Sequence, residues 1–112
     1  MAQRTILKAL DRKKINAFLE LLDQRKVKVS RAIIFGSHAK GKAGKDSDID
    51  IAVVSKQFGK DSLKEMFMLR EIALKIDSQI EPIPLTPQDF KDQYSTLIQE
   101  INQYGVDYSI VN

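Results

Sequence analysis

The chain has 112 residues, 43% hydrophobic and 29% charged, with 18 Lys/Arg against 15 Asp/Glu. That length suits one domain spanning residues 1–112 with a modest core, burying roughly 65% of the unfolded surface, and the ordinary composition excludes collagen, coiled coil and disorder throughout. The absence of cysteine excludes disulfides, thiolate zinc sites and cysteine nucleophiles, and the single histidine, His38, excludes a multi-histidine metal site. Residues 1–60 carry a balance of +8 and residues 61–112 one of −5. A basic half of this kind attracts an anion such as a phosphate, and an acidic half suits a basic partner. No apolar run approaches the ~18 residues of a membrane span, and no signal-peptide core follows Met1-Ala2-Gln3-Arg4. The expectation is a cytoplasmic protein with no membrane partner.

In chain order, Ile15, Phe18, Leu19 and Leu22 recur at helical spacing and predict a helix from Asp11 to about Arg25. Residues 27–35, rich in β-branched and aromatic side chains, predict a strand ended by Gly36-Ser37. A loop from Gly41 to Ser47 leads into a second strand, Asp48 to Val54. Ser62 and Glu65 have the form of a capping box opening a second helix, with Leu63, Met66, Phe67, Ala73 and Leu74 as its expected buried face. Residues 79–85 read as extended, placed at a sheet edge by Pro82 and Pro84. Thr86-Pro87 reads as the cap and first residue of a last helix running to about Tyr104, with Gly105 as its stop and a short strand from Val106 to Val111. The order predicts a small α/β (α+β) domain with one mixed sheet packed on helices.

The chemistry lies in Phe35-Gly36-Ser37-His38-Ala39-Lys40-Gly41 and in Ser47-Asp48-Ile49-Asp50-Ile51. A phosphate-binding P-loop would match Gly36 and Gly41-Lys42, but Ala43 stands where a magnesium-binding hydroxyl is needed. A calcium loop would match Asp46, Asp48 and Asp50, but Ile51 and Gln57 occupy the positions of its glycine and bidentate glutamate. A metal-dependent nucleotidyl-transfer site fits better. Asp48 and Asp50, two apart on a strand, project from one face while Ile49, Ile51 and Val53 face the core. Carboxylates so close repel one another unless a cation lies between them. Gly36-Ser37 follows a buried strand, where a glycine admits close phosphate approach and the N–H groups and hydroxyl at the start of a short helix hold it. Lys40, Lys42 and Lys45 add positive charge nearby.

The run Gly36-Ser37-His38-Ala39-Lys40-Gly41, six intervening residues and then Asp48-Ile49-Asp50-Ile51 resembles the signature of the minimal nucleotidyltransferase family, in the DNA-polymerase-β-like superfamily. The resemblance extends over nearly the whole chain, including the tail Glu100-Ile101-Asn102-Gln103-Tyr104-Gly105-Val106-Asp107-Tyr108. It implies the polymerase-β-like fold, with Asp48 and Asp50 holding two magnesium ions and ATP as substrate. Gly36, Ser37, Lys40 and Ser47 would bind the nucleotide, Ser47 by orienting Asp48. Lys40 stands where the family usually has arginine, which keeps the charge but loses the bidentate fork. The family also implies a third carboxylate, best matched by Glu81 in Ile80-Glu81-Pro82, with Asp77 as the alternative. That residue would complete one metal site and help to deprotonate the acceptor hydroxyl.

Family members of this kind resemble antitoxins paired with a HEPN-domain toxin, an RNase. The resemblance therefore implies transfer of AMP to a hydroxyl of that partner, a tyrosine most of all, within a hetero-oligomer and without direct nucleic-acid binding. The rival reading is a non-catalytic antitoxin that neutralises the partner by contact. Of the remaining residues, His38 is expected as a partly exposed histidine at a helix start. Met66 and Met68 are expected to fill gaps, and Tyr104 and Tyr108 to be half-buried.

Overall fold

Ile15, Phe18, Leu19 and Leu22 form the buried face of helix α1, Ala9–Gln24, as their spacing predicts. Each side chain of this kind, fully withdrawn from water, contributes about 1.5–3 kcal/mol. A computed structural model describes residues 7–44 and 46–108. The strand that follows, β1, is Arg31–Phe35, shorter than the predicted 27–35. The reason is its partner. Arg31 pairs with Val54, the last residue of β2 (Ile49–Val54), so the ladder ends there, and beyond it the Ser30 N–H donates to the Val54 carbonyl at 2.7 Å.

Helix α2, Ser62–Leu74, is capped one residue earlier than the capping-box pattern implied. The Asp61 side chain accepts from the Lys64 N–H, and Glu65 instead accepts from the N–H groups of Gly59 and Lys60. Its buried residues are Leu69, Ile72 and Ala73, whereas Leu63, Phe67 and Leu74 are exposed and Met66 is part-exposed. Of the expected face only Ala73 is buried. Apolar residues stand on every side of this helix, so their spacing selects no single face.

Strand β3, Ile80–Leu85, runs parallel to β2 at the edge of a four-stranded sheet of order β3-β2-β1-β4. The carbonyls of Gln79 and Leu85 accept from the N–H groups of Ile49 and Ser55, so residues of that parity face β2. Pro82 and Pro84 have the opposite parity and face outward, where no ladder donor is required.

The predicted last helix is broken in two. Thr86 caps a 3-10 turn, Pro87–Lys91, through a capping box with Asp89. Asp92 then turns extended, its side chain accepting from the Tyr94 N–H, and Ser95 caps a fresh helix α3, Thr96–Tyr104. Asp92 and Ser95 each offer the backbone a local hydrogen bond that competes with helix continuation. Gly105 ends α3, and strand β4, Val106–Asp107, pairs antiparallel with β1. The remainder of the predicted last strand, from 109 onward, lies outside the described residues.

The mixed sheet is covered on both faces. Ile34, Ile49, Ile51, Val53 and Ile80 pack with residues of α1 and α2 on one side. Ile33, Phe35, Ala52, Val54 and Leu85 pack with Ile98 and Ile101 of α3 on the other. Among the described residues, no helix is long and apolar enough to cross a membrane.

Candidate active site

Strand register builds the site. In the antiparallel pairing Phe35 stands opposite Asp50, and in the parallel pairing Asp50 stands opposite Glu81. Paired residues of adjacent strands project from the same face, so Asp50 and Glu81 lie side by side on the face that carries α3. Asp48, just before β2, shares that parity and is exposed, while Asp50 is half-buried. Asp77, the alternative third carboxylate, lies elsewhere. It accepts from the Gln79 N–H at 2.8 Å and pairs with Lys14 of α1 at 3.0 Å, and these contacts hold its carboxyl below the usual range.

Gly36 leaves β1 with φ +74°, and a Cβ built on it would lie 2.1 Å from Asp50 Oδ2. Glycine is required here twice over, by the left-handed backbone and by the carboxylate pressed against its Cα. The chain then winds through consecutive turns from Gly36 to Gly41 rather than the short helix expected. The Gly36, His38 and Ser37 carbonyls accept from the N–H groups of Lys40, Gly41 and Lys42. The first N–H groups of such a winding have no carbonyl upstream within it, so Ser37 stands at the end that suits an anion.

The electrostatics are those of crowded acids. Burial, then the charges of Asp48, Glu81 and Glu100, raise the Asp50 carboxyl above its ordinary range, and His38 partly offsets them. Glu100, on α3, is a fourth acid that the spacing of the motif did not point to. It entered only within the tail that carries the family resemblance. His38 is only 6% exposed, and its Nε2 is buried without a hydrogen-bond partner. The expected partly exposed histidine is therefore corrected: the turn folds its ring inward.

Lys40 does not point free into solvent. Its Nζ lies 3.7 Å from Glu100 and 5.0 Å from the centre of the Tyr104 ring. Ser47 Oγ accepts from the Gly44 N–H at 2.8 Å, which closes the loop before Asp48. Tyr104 is part-exposed, whereas Tyr108 is buried with its hydroxyl donating to Asn16 of α1. Met68 fills space beside the core as expected, whereas Met66 is part-exposed.

Carboxylate oxygens are the donors that magnesium prefers, and their mutual repulsion in a half-buried position is what a divalent cation relieves. The residues present fit such an ion. As they stand, no three His, Asp or Glu among the described residues are gathered to hold a metal. Glu81 Oε2 is instead taken by Arg70 Nη1 of α2 at 2.8 Å, a contact sequence spacing did not anticipate.

A cleft of about 460 Å³ lies at the other end of the sheet between Lys56, Phe58, Ser62, Leu85 and Pro87, away from these acids. A smaller one of about 210 Å³ lies behind the Gly36 turn, lined by Lys14, His38, Gly44, Ser47 and Gln79. The carboxylates and the turn carry the chemistry, and the volume of the distant cleft does not outweigh them.

A glycine turn packed on Asp50, with Asp48 just before the strand and Glu81 on the adjoining parallel strand, is an arrangement that suits a nucleotidyltransferase. Residues 12–111 match the family model of the nucleotidyltransferase domain, and the chain belongs to that family. A Methanocaldococcus jannaschii protein named "Putative protein adenylyltransferase" is 35% identical over 86 residues, covering 73% of this chain and 81% of the relative. The crystal structure of a toxin–antitoxin with AMP-PNP is similar at a TM-score of 0.58 and 25% identity, over 85% of this chain and 69% of that one. A structure of a tri-AMPylated Shewanella oneidensis HEPN toxin in complex with MNT antitoxin is similar at a TM-score of 0.56 over 86% of this chain and 69% of that one. Its 23% identity makes that a likeness of fold.

Proposed function

We propose that this nucleotidyltransferase moves AMP from ATP onto a tyrosine hydroxyl of a HEPN-domain toxin and so acts as its antitoxin, in the cytoplasm. The observation that carries the reading is the register that sets Asp50 between Gly36 and Glu81. The relative named as an adenylyltransferase supports the transferred group. The neighbour with AMP-PNP supports an ATP-like ligand, and the fold-level neighbour supports the HEPN partner.

The reaction makes one bond and breaks one. The acceptor oxygen bonds to the α-phosphorus of ATP, pyrophosphate leaves, and the hydroxyl proton passes to the chain. Glu81 takes that proton. Gly36 and Ser37 hold the phosphates through backbone N–H groups and the serine hydroxyl, and Lys40 adds a point charge. Asp48 and Asp50 would hold two magnesium ions, with Glu81 completing one of the sites. Bound there, the ions supply charge neutralisation at the phosphates. Ser47, closing the loop, fixes the approach of Asp48.

The test incubates the chain with ATP, Mg²⁺ and a HEPN-domain toxin, followed by intact-mass measurement. Added AMP units on the partner, absent with Asp48→Asn and much slower with Glu81→Gln, are the expected result. Loss of a positioned base costs ~10²–10⁴ in rate. Neutralisation without a mass change, equally effective with Asp48→Asn, would replace this reading with one of inhibition by contact.

A further inference from the structure

Glu81 is the acid opposite Asp50, yet its bond is to a cation of the protein itself. Arg70 sits on α2 beside Leu69 and close to Ile72 and Ala73, which pack on the face of the sheet opposite to the one carrying Asp50. Its guanidinium therefore reaches around the β3 edge to meet Glu81 at 2.8 Å. The packing of α2 on β3 fixes the backbones at the two ends of this strap and so keeps the two side chains within reach of one another. On the other side of Asp50, Lys40 meets Glu100 at 3.7 Å. The cluster is thus bracketed by two internal cations, each taking up an acid that raises the carboxyl between them.

We propose that Arg70 is a positioning residue that stands in for a divalent cation at Glu81 and competes with it, setting the metal concentration at which the site loads. This rests on the reading of Asp48, Asp50 and Glu81 as the metal-binding acids. The side chains of Arg70 and Glu81 are 45% and 29% exposed, so the pair exchanges readily and no buried charge is stranded when it opens. The guanidinium occupies Glu81 Oε2 and sets a positive charge beside the carboxylate, and both subtract from the affinity of an ion there. Metal loading therefore favours release of Arg70. The guanidinium so released lies beside the site, where it adds positive charge for the incoming phosphates.

The test is Mn²⁺ binding by calorimetry to the full chain and to Arg70→Ala, Arg70→Lys, Glu81→Gln and the Arg70→Ala/Glu81→Gln double variant. Arg70→Ala is expected to bind Mn²⁺ ~2–5-fold more tightly than the parent, the worth of an exposed ion pair. Arg70→Lys, which loses the planar fork, should fall between them. In the Glu81→Gln background the Arg70→Ala substitution should change nothing. Metal-free melting of the parent, Arg70→Ala, Glu81→Gln and the double variant reads the pair independently, as a non-additive loss in the cycle. Arg70 is exposed enough for the variants to fold, and the melts verify it. Equal or weaker Mn²⁺ binding by Arg70→Ala, or the same gain without Glu81, overturns the proposal. If Mn²⁺ binding by the parent survives Asp48→Asn with Asp50→Asn, it is the assignment of the metal site that falls instead.

Discussion

At the scale of single residues, Gly36 is the position where backbone and chemistry meet. Its φ of +74° places it in the left-handed region, which costs a residue with a Cβ roughly 1–2 kcal/mol. The contact is more severe than the dihedral: the added carbon would fall 2.1 Å from Asp50 Oδ2. The carboxylate or the turn must then move. Gly36→Ala is expected to lower stability by about 1–3 kcal/mol in denaturant titration and to weaken ATP binding, with Gly36→Val worse. Ser37→Ala, which removes one hydroxyl and leaves the turn in place, should weaken ATP binding less and leave stability nearly unchanged. A Gly36→Val protein that binds ATP normally would move the phosphate away from this turn.

At the scale of elements, the turn between α2 and β3 decides where the third acid stands. Asp77 anchors that turn: its carboxylate accepts from the Gln79 N–H and pairs with Lys14 of α1, and Lys14 also donates to the Gln79 side chain at 2.8 Å. The Gln79 carbonyl in turn accepts from Ile49, so the start of β3 is tied to the start of β2 and the Asp50–Glu81 register is set. The Gln79 and Lys14 contacts hold the Asp77 carboxyl below its ordinary value. Its stabilisation is therefore present above the unfolded carboxylate value of about 3.9 and is lost as pH falls through the lower folded value. Asp77→Asn should lower the melting temperature at neutral pH, and the gap to the parent should close as melts are carried below about pH 3.9. A gap that persists undiminished in acid would show that packing rather than charge makes the difference.

At the scale of the whole molecule, part of the charge asymmetry along the chain is paired across the fold. Lys14–Asp77, Arg31–Asp107 and Lys40–Glu100 each join a cation of the first half to an acid of the second, and the Arg31 guanidinium also lies 5.1 Å from the Phe90 ring centre. The balances of +8 and −5 are therefore partly neutralised by pairing between the two halves. A partner meets a smaller acidic surplus than the sequence suggests, and contact with a HEPN toxin should depend only modestly on salt. Between about 0.01 M and 1 M ionic strength the Debye length falls from about 30 Å to about 3 Å. Over that range the affinity for the toxin, measured by interferometry or calorimetry, should fall by less than ~10-fold. A steep loss would mean that long-range charge attraction holds the complex.

The amino-acid sequence by itself determined the elements whose signals are local. The spacing of Ile15 to Leu22 dictates α1, the run from Ala32 to Phe35 a buried strand, and Pro82 with Pro84 an edge strand of one parity. The Asp48/Asp50 pair was legible for the same reason, since strand parity alone puts both on one side. The tertiary structure decided what depends on neighbours distant along the chain. Glu81 rather than Asp77 stands beside Asp50 because β2 and β3 pair in parallel in one register, and no local pattern encodes register between separate strands. The face that α2 buries is set by where it crosses β3, because its own apolar residues surround it. The break at Asp92, the inward turn of His38 and the reach of Arg70 around the sheet edge likewise follow from competition among contacts that only the folded chain brings together.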